Sequence, residues 1–324
     1  MDDFNLAVIG CGKWGMNHVR TARKLFGDKF KYCSDNTQES RETVKTISDK
    51  IIFTTDINEI INDVNINAVI VSTPAETHFE IAKKLLISGK NILVEKPITL
   101  NSDEAKILDE IAKERDLILM VGHLLLFHPA ILKIKEFIDN GKLGRLQYIY
   151  SNRLNLGTVR TEENILWSFA PHDISVIQFF TEDVPLYVTA TGAVFLQENI
   201  QDTTLTILKF KNNIHAHIYV SWLHPFKEQR LVVIGDKSMM MFEDTLKDNK
   251  LKFYPKGFDM VNGLPVKRDD DFENIEFATT SPLELEQQHF IDCILNQTTP
   301  RTDGKNAIEV LETLERAQSE LIKV

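Results

Sequence analysis

Cysteine is scarce: Cys11, Cys33 and Cys293 are the only three in 324 residues. Their scatter suits neither a disulfide framework nor a thiolate metal site, and it fits a reducing cytoplasm. Positive charge is in deficit. Lys and Arg number 37 against 47 Asp and Glu, for a formal net charge of −10. Such a balance repels phosphate polymers and anionic bilayers, which argues against nucleic acid or membrane as the main partner. Long apolar runs are missing too, since none reaches the roughly 18 residues of a membrane span. The first strand candidate begins about four residues in, which leaves no length for a secretory leader. What remains is an ordinary globular composition. Apolar residues make up 43% of the chain, enough for packed cores, and the length suggests two domains.

The first 122 residues alternate between two periodicities. Residues 4–9 read as a short buried strand, and a helical pattern runs from the following glycines to about Phe26. Strand candidates follow at 29–34, 51–53, 68–72, 91–94 and 117–121, with helical patterns at 57–64, 78–88 and 102–115. Strands alternating with helices imply a parallel sheet with right-handed crossovers. The expected fold is a doubly wound α/β Rossmann domain over residues 1–122. Its ligands bind at the carboxyl ends of the strands.

Gly10-Cys11-Gly12-Lys13-Trp14-Gly15 leaves the first strand and opens the first helix, and Asp35 stands 20 positions beyond Gly15. That is the full context of a dinucleotide fingerprint. Gly10 permits the turn, Gly12 lets backbone approach the pyrophosphate, and Gly15 allows close helix–strand packing. Lys13 and Trp14 lie in the same loop, where the helix N-terminus offers N–H groups to phosphate. Asp35 is placed to accept both ribose hydroxyls. Uncharged Asn36, Thr37 and Gln38 follow it, which favours NAD over NADP.

Several further motifs fall in one order: Ser72-Thr73-Pro74 with His78, Glu95-Lys96-Pro97 at the end of the fifth strand, Gly122-His123 with Phe127-His128-Pro129, and His172-Asp173. With the glycine loop they resemble the Gfo/Idh/MocA family of sugar and polyol dehydrogenases. The resemblance implies that Ser72, Thr73, Pro74, His78 and Glu95 line the cofactor, and that a cis peptide often precedes the proline of the Glu-Lys-Pro motif. Lys96 has a separate case. A lysine at the carboxyl end of a buried strand is partly desolvated, which disfavours its charged form, and it is placed to polarise a reacting hydroxyl.

From residue 123 the pattern changes to one helix at 129–138 and then strands at 146–152, 187–193, 203–210, 214–222, 230–234 and 238–242, closed by helices at 281–296 and 307–322. The expected second domain, 123–324, is α+β with a large, mostly antiparallel open sheet. The resemblance implies that this sheet carries subunit contacts, making a homodimer or homotetramer. Helical periodicity begins near His172, which puts that residue at a helix start, and histidine is a natural base near neutral pH. The predicted catalytic pair is Lys96 and His172. Polyol-oxidising relatives carry Asp four residues before this histidine; here Ser168 stands there, which speaks against inositol. Spacing among the histidines suggests no metal site.

The segment from Tyr150 to His172 resembles the branch of the family that oxidises C3 of UDP-N-acetylhexosamines. Arg153 and Arg160 suit a diphosphate or carboxylate, and Asn155 and Asn164 suit sugar or amide groups. His123 and Trp167 complete the expected substrate and cofactor contacts. The implied reaction is NAD-dependent formation of a 3-keto nucleotide sugar, which an aminotransferase would consume. A UDP-N-acetylglucosaminuronate 3-dehydrogenase, a 3-keto-sugar reductase and a free sugar or polyol dehydrogenase remain alternatives. A non-catalytic NAD-binding regulator is the alternative of another class, against which the presence of both Lys96 and His172 argues.

Overall fold

Four consecutive buried aliphatic residues form β1 (Leu6–Ile9) in the computed structural model, which describes residues 4–321. The chain continues through α1 (Gly15–Phe26), β2 (Phe30–Ser34), α2 (Gln38–Ile47), β3 (Ile52–Thr54), α3 (Ile57–Asn62), β4 (Ala68–Val71), α4 (His78–Ile87), β5 (Asn91–Glu95), α5 (Ser102–Glu114) and β6 (Leu119–Gly122). The six strands lie in the order β3-β2-β1-β4-β5-β6, and their pairings are parallel. Every residue of β1, β4 and β6 is buried, as expected for a parallel sheet covered on both faces. The order reverses between β1 and β4, so the loops leaving those two strands flank the switch point where such sheets bind ligands. This is the expected Rossmann architecture. Helix α2 has no counterpart in the sequence reading. Only Ser40 and Val44 of it are buried, too few to make a visible period, and its start depends on Thr37, whose side chain accepts from the Ser40 amide.

After α6 (Pro129–Asp139) come β7 (Leu146–Leu156), α7 (Ile165–Thr181), β8 (Tyr187–Ala193), β9 (Thr203–Lys209), β10 (His215–Ser221), β11 (Leu223–Gly235), β12 (Met239–Glu243), β13 (Leu251–Tyr254), β14 (Lys256–Val261), β15 (Leu264–Asp269) and β16 (Glu273–Asn274). Eight of these strands form one sheet, in the order β16-β13-β12-β11-β7-β10-β9-β8. Only the β7–β10 pairing is parallel. Helix α7 packs on β7, β9 and β10. Along β10, Ala216, Ile218 and Val220 are buried, while His215, His217 and Tyr219 on the other face are only half-buried. That alternation was legible. The strands between 251 and 274 were not: β14 and β15 pair as a separate exposed hairpin, β13 buries only Leu251, and β16 is two exposed residues long.

Helices α8 (Pro282–Asn296) and α9 (Gly304–Leu321) close the chain. Contacts divide it into two compact units. One runs to Phe127 and includes Thr280–Leu311; the other is His128–Thr279 with the residues from Glu312 onward. The expected division at 122/123 gave all of 280–311 to the second domain. Instead α8 packs on α1 and on the Leu124–Phe127 turn. The Val121 amide donates to the Thr302 carbonyl at 2.8 Å and Met120 bridges Asp303, so this returning segment covers the β6 edge of the parallel sheet.

Candidate active site

The glycine loop is built by close approach. Gly10 has φ +90°, and a Cβ there would lie 2.5 Å from the Ser72 carbonyl oxygen. A Cβ on Gly15 would lie 1.9 Å from the Gly10 carbonyl oxygen. Gly12 is different: it is exposed, and a Cβ there meets nothing within 4 Å. The loop therefore presents bare backbone to open space at the head of α1, which fits a pyrophosphate. Lys13 and Trp14 are exposed beside it. The Asp35 carboxylate is held from two sides. Oδ2 accepts from the Cys11 amide at 2.7 Å, and Oδ1 accepts from the Thr37 amide and hydroxyl, both at 2.9 Å. It is thus oriented at the edge of the loop, as a ribose acceptor must be. Ser40 Oγ donates to the Cys11 carbonyl at 3.1 Å and ties α2 to the same loop.

Ser72 and Thr73 follow β4 and lie against Gly10 and Gly15. Pro74 is exposed beside them. His78 is buried, with Nδ1 2.7 Å from the Pro97 carbonyl and Nε2 2.8 Å from the Thr73 carbonyl. Both ring nitrogens are engaged by protein, so His78 joins the Ser-Thr-Pro loop to the Glu-Lys-Pro loop rather than reaching outward from them. The Lys96–Pro97 peptide is cis.

Glu95 ends β5 and collects donors. Trp14 Nε1 donates to Oε1 at 2.5 Å, His18 Nε2 lies 2.7 Å from the same oxygen, and the Lys96 amide donates to Oε2 at 3.2 Å. Burial pushes the Glu95 carboxyl up, but the hydrogen bond and electrostatic attraction of His18, the hydrogen bond from Trp14 and the Lys96 charge outweigh it and hold the group below the usual carboxylate range. Gly122 makes room, since a Cβ there would lie 3.0 Å from Glu95 Oε2. Glu286 on α8 is fully buried near Glu95, and both its oxygens lack a hydrogen-bond partner among the described residues. Burial and the Glu95 charge push its carboxyl well above the usual range, which favours the neutral acid. His18, Glu95 and Glu286 offer ligand atoms within 4.8 Å of one another. Within this grouping the His18–Glu95 contact is a hydrogen bond. The 2.7 Å His18–Glu95 separation is shorter than the ~3.3 Å between two ligands of a tetrahedral zinc. His123 follows β6 and is buried; both its ring nitrogens lack a partner among the described residues. Burial first, then the Lys96 charge, lower its pKa to about 4. It is therefore a neutral imidazole next to Lys96.

In the second unit, His172 lies in the second turn of α7, not at a helix start. The helix begins at Ile165, capped by Asn164, and Pro171 is inside it. Asn164 is fully engaged: Oδ1 accepts from the Trp167 amide at 3.2 Å, and Nδ2 donates to Gln201 and Gln318 at 2.9 and 2.8 Å. Trp167 Nε1 donates to Gln318 at 3.1 Å. Arg153 forms a two-bonded pair with Asp173, both bonds 3.0 Å, and Asp173 also accepts from Ser151 at 2.6 Å. The expected substrate ligands Arg153 and Asn164 thus hold α7, and with it His172, in place. Arg160 is exposed. Asn155 Oδ1 is buried without a partner among the described residues.

A sequence profile described as an oxidoreductase family with an NAD-binding Rossmann fold matches residues 4–123, and one described as the GFO/IDH/MocA C-terminal domain matches residues 131–241. The chain belongs to the Gfo/Idh/MocA family. As a member of this sugar and polyol dehydrogenase family, it is an NAD-dependent dehydrogenase acting on CH–OH groups. The scyllo-inositol 2-dehydrogenase (NAD(+)) of Bacillus subtilis is 27% identical over 306 residues, covering 91% of this chain and 87% of its own. The UDP-N-acetylglucosamine 3-dehydrogenase of Acidithiobacillus ferrooxidans is 26% identical over 247 residues, 76% of each chain. A solved structure of UDP-N-acetylglucosamine 3-dehydrogenase GnnA from that organism superposes with a TM-score of 0.85 at 23% identity, covering 98% of this chain and 97% of its own. That likeness carries the fold across both units.

Four side chains of the site had no place in the sequence reading: His18, Ser40, Glu286 and Gln287, the last buried on α8 with its amide nitrogen against His18. Only His18 carries a local signal. It stands three residues after Gly15, on the helix face that packs against the strand ends.

Proposed function

We propose that this dehydrogenase oxidises the C3 hydroxyl of a UDP-N-acetylhexosamine to a 3-keto sugar. The observation that carries the substrate class is Asn155, whose Oδ1 is buried without a partner among the described residues. It lies in the same segment as the exposed Arg160, ahead of the helix that bears His172. An amide acceptor suits a sugar hydroxyl or acetamido N–H, and an exposed guanidinium suits a diphosphate. Ser168, where polyol-oxidising relatives carry Asp, supports a substrate other than a cyclitol.

Bound NAD supplies the hydride acceptor. Lys96 holds the reacting oxygen and stabilises the negative charge that develops there. His172 takes the hydroxyl proton. His123, neutral beside Lys96, offers a hydrogen bond without adding charge. Nucleotide binding energy positions C3, so a free sugar is a poor substrate. A second reading, oxidation of a free cyclitol, is favoured by the match to the scyllo-inositol enzyme over 91% of this chain. We also assign the half-buried outer face of the eight-stranded sheet to a second copy of the chain, and its place of work to the cytoplasm.

The experiment supplies protein and NAD with UDP-N-acetylglucosamine, a sugar aminotransferase and an amino donor, because alcohol oxidation by NAD alone runs uphill near neutral pH. Mass spectrometry should find the 3-amino sugar. Turnover of free inositol, with no response to any UDP-sugar, would overturn the substrate and leave the dehydrogenase.

A further inference from the structure

The hydrogen bonds behind Lys96 have a direction. Gln287 Nε2 lies 3.2 Å from the His18 backbone carbonyl, an obligate acceptor, so that atom is the amide nitrogen. The same nitrogen is 3.0 Å from His18 Nδ1, which must accept. The ring proton is left on Nε2, 2.7 Å from Glu95 Oε1. Trp14 and the Lys96 amide donate to the same carboxylate. Glu95 is thus surrounded by donors, an arrangement that suits an anion.

We propose that Gln287 and His18 are positioning residues for the oxidation: by keeping His18 an Nε2–H donor, they hold Glu95 as a single, oriented negative charge that serves as the counter-ion of Lys96. The inference rests on Lys96 acting at the reacting oxygen. With the opposite tautomer, a His18 lone pair would face the Glu95 oxygen and repel it. With both protons, His18 would take the place of Lys96 as the partner of Glu95. Either change loosens the hold on the Lys96 ammonium. The titratable groups facing Glu95 are His18 from α1, Lys96 from its own strand end, Glu286 from α8 and His123 beyond β6. Burial and the Glu95 charge favour the neutral form of Glu286, and His123 is uncharged near pH 7, so neither takes the place of Lys96 as the opposite charge to Glu95.

The test is the pH profile of kcat/KM. Lys96→Met should abolish one limb, which identifies it. In Gln287→Leu that limb should move toward acid by about one pH unit, as for a cation losing an opposite charge. Glu95→Gln should move it further in the same direction. NAD affinity should be unchanged in Gln287→Leu. A Gln287→Leu limb that stays in place, or moves toward alkali, overturns the inference alone. Turnover in Lys96→Met with both limbs intact overturns the role of Lys96 and the inference with it. Should Gln287→Leu fail to fold, imidazole 15N spectra of the wild-type protein, with His18 assigned through its own backbone, decide the matter. An Nε2–H ring supports the inference, and an Nδ1–H ring or an imidazolium overturns it.

Discussion

Gly10, Gly12 and Gly15 share a motif but answer to different constraints. Gly10 and Gly15 are forced by backbone, whereas Gly12 has open space above it. Gly12→Val should therefore fold and melt as the wild type does while losing NAD binding in a fluorescence titration; unchanged affinity would misplace the pyrophosphate. Gly15→Ala should instead lose about 2 kcal/mol or more of stability in urea unfolding, because its methyl has only main chain to displace. These positions were legible because strand, turn and helix are contiguous in the sequence. Arg153, Asn164 and His78 were legible only as polar residues near motifs. Their partners, Asp173, Gln318 and Pro97, lie 19 to 154 positions away, and a sequence does not say which polar group a side chain will meet.

At the scale of elements, α7 shows how a boundary misleads. A proline commonly opens a helix, so Pro171 followed by apolar periodicity points to a start at His172. The actual start is set by Asn164, whose side chain caps the helix while its amide holds Gln201 and Gln318. Pro171 has no N–H to continue the ladder at that turn. Asn164→Ala should lower stability by about 1–2 kcal/mol, and Asn164→Asp should fall between, keeping the acceptor but losing the two donated bonds. Urea midpoints measure both. An unshifted midpoint in Asn164→Ala would remove the cap from the account of how His172 is held.

For the whole molecule, two buried groups of the first unit pull stability in opposite directions with pH. His123 titrates near 4 in the folded protein against an ordinary 6.5. What its burial as a neutral ring contributes is present above pH 6.5 and lost as the pH falls toward 4, up to about 3 kcal/mol. Glu286 is raised above its ordinary 4.5. Its contribution is present below pH 4.5 and lost as the pH rises through the folded value. Glu286→Gln should therefore be more stable than wild type at pH 7–8 and no different near pH 4. His123→Gln should flatten the loss of stability between pH 6.5 and 4. Melting temperatures from about pH 4 to about pH 8 test both, and a Glu286→Gln variant weaker at the alkaline end than wild type would contradict the buried neutral acid.

The return of α8 and of Thr302 to the first unit also bears on synthesis. A ribosome finishes the six parallel strands by Gly122, yet the side chains that lie behind Glu95, and the segment that pairs with the β6 edge, are encoded after residue 280. At ordinary elongation rates the nascent chain waits roughly 10–40 s between Phe127 and Leu311. Throughout that interval β6 is an unpaired edge and His18 lacks Gln287. The dinucleotide-binding half, though made first, is completed among the last, and messages truncated before α8 would yield chains whose first sheet, with its β6 edge open, invites association with others.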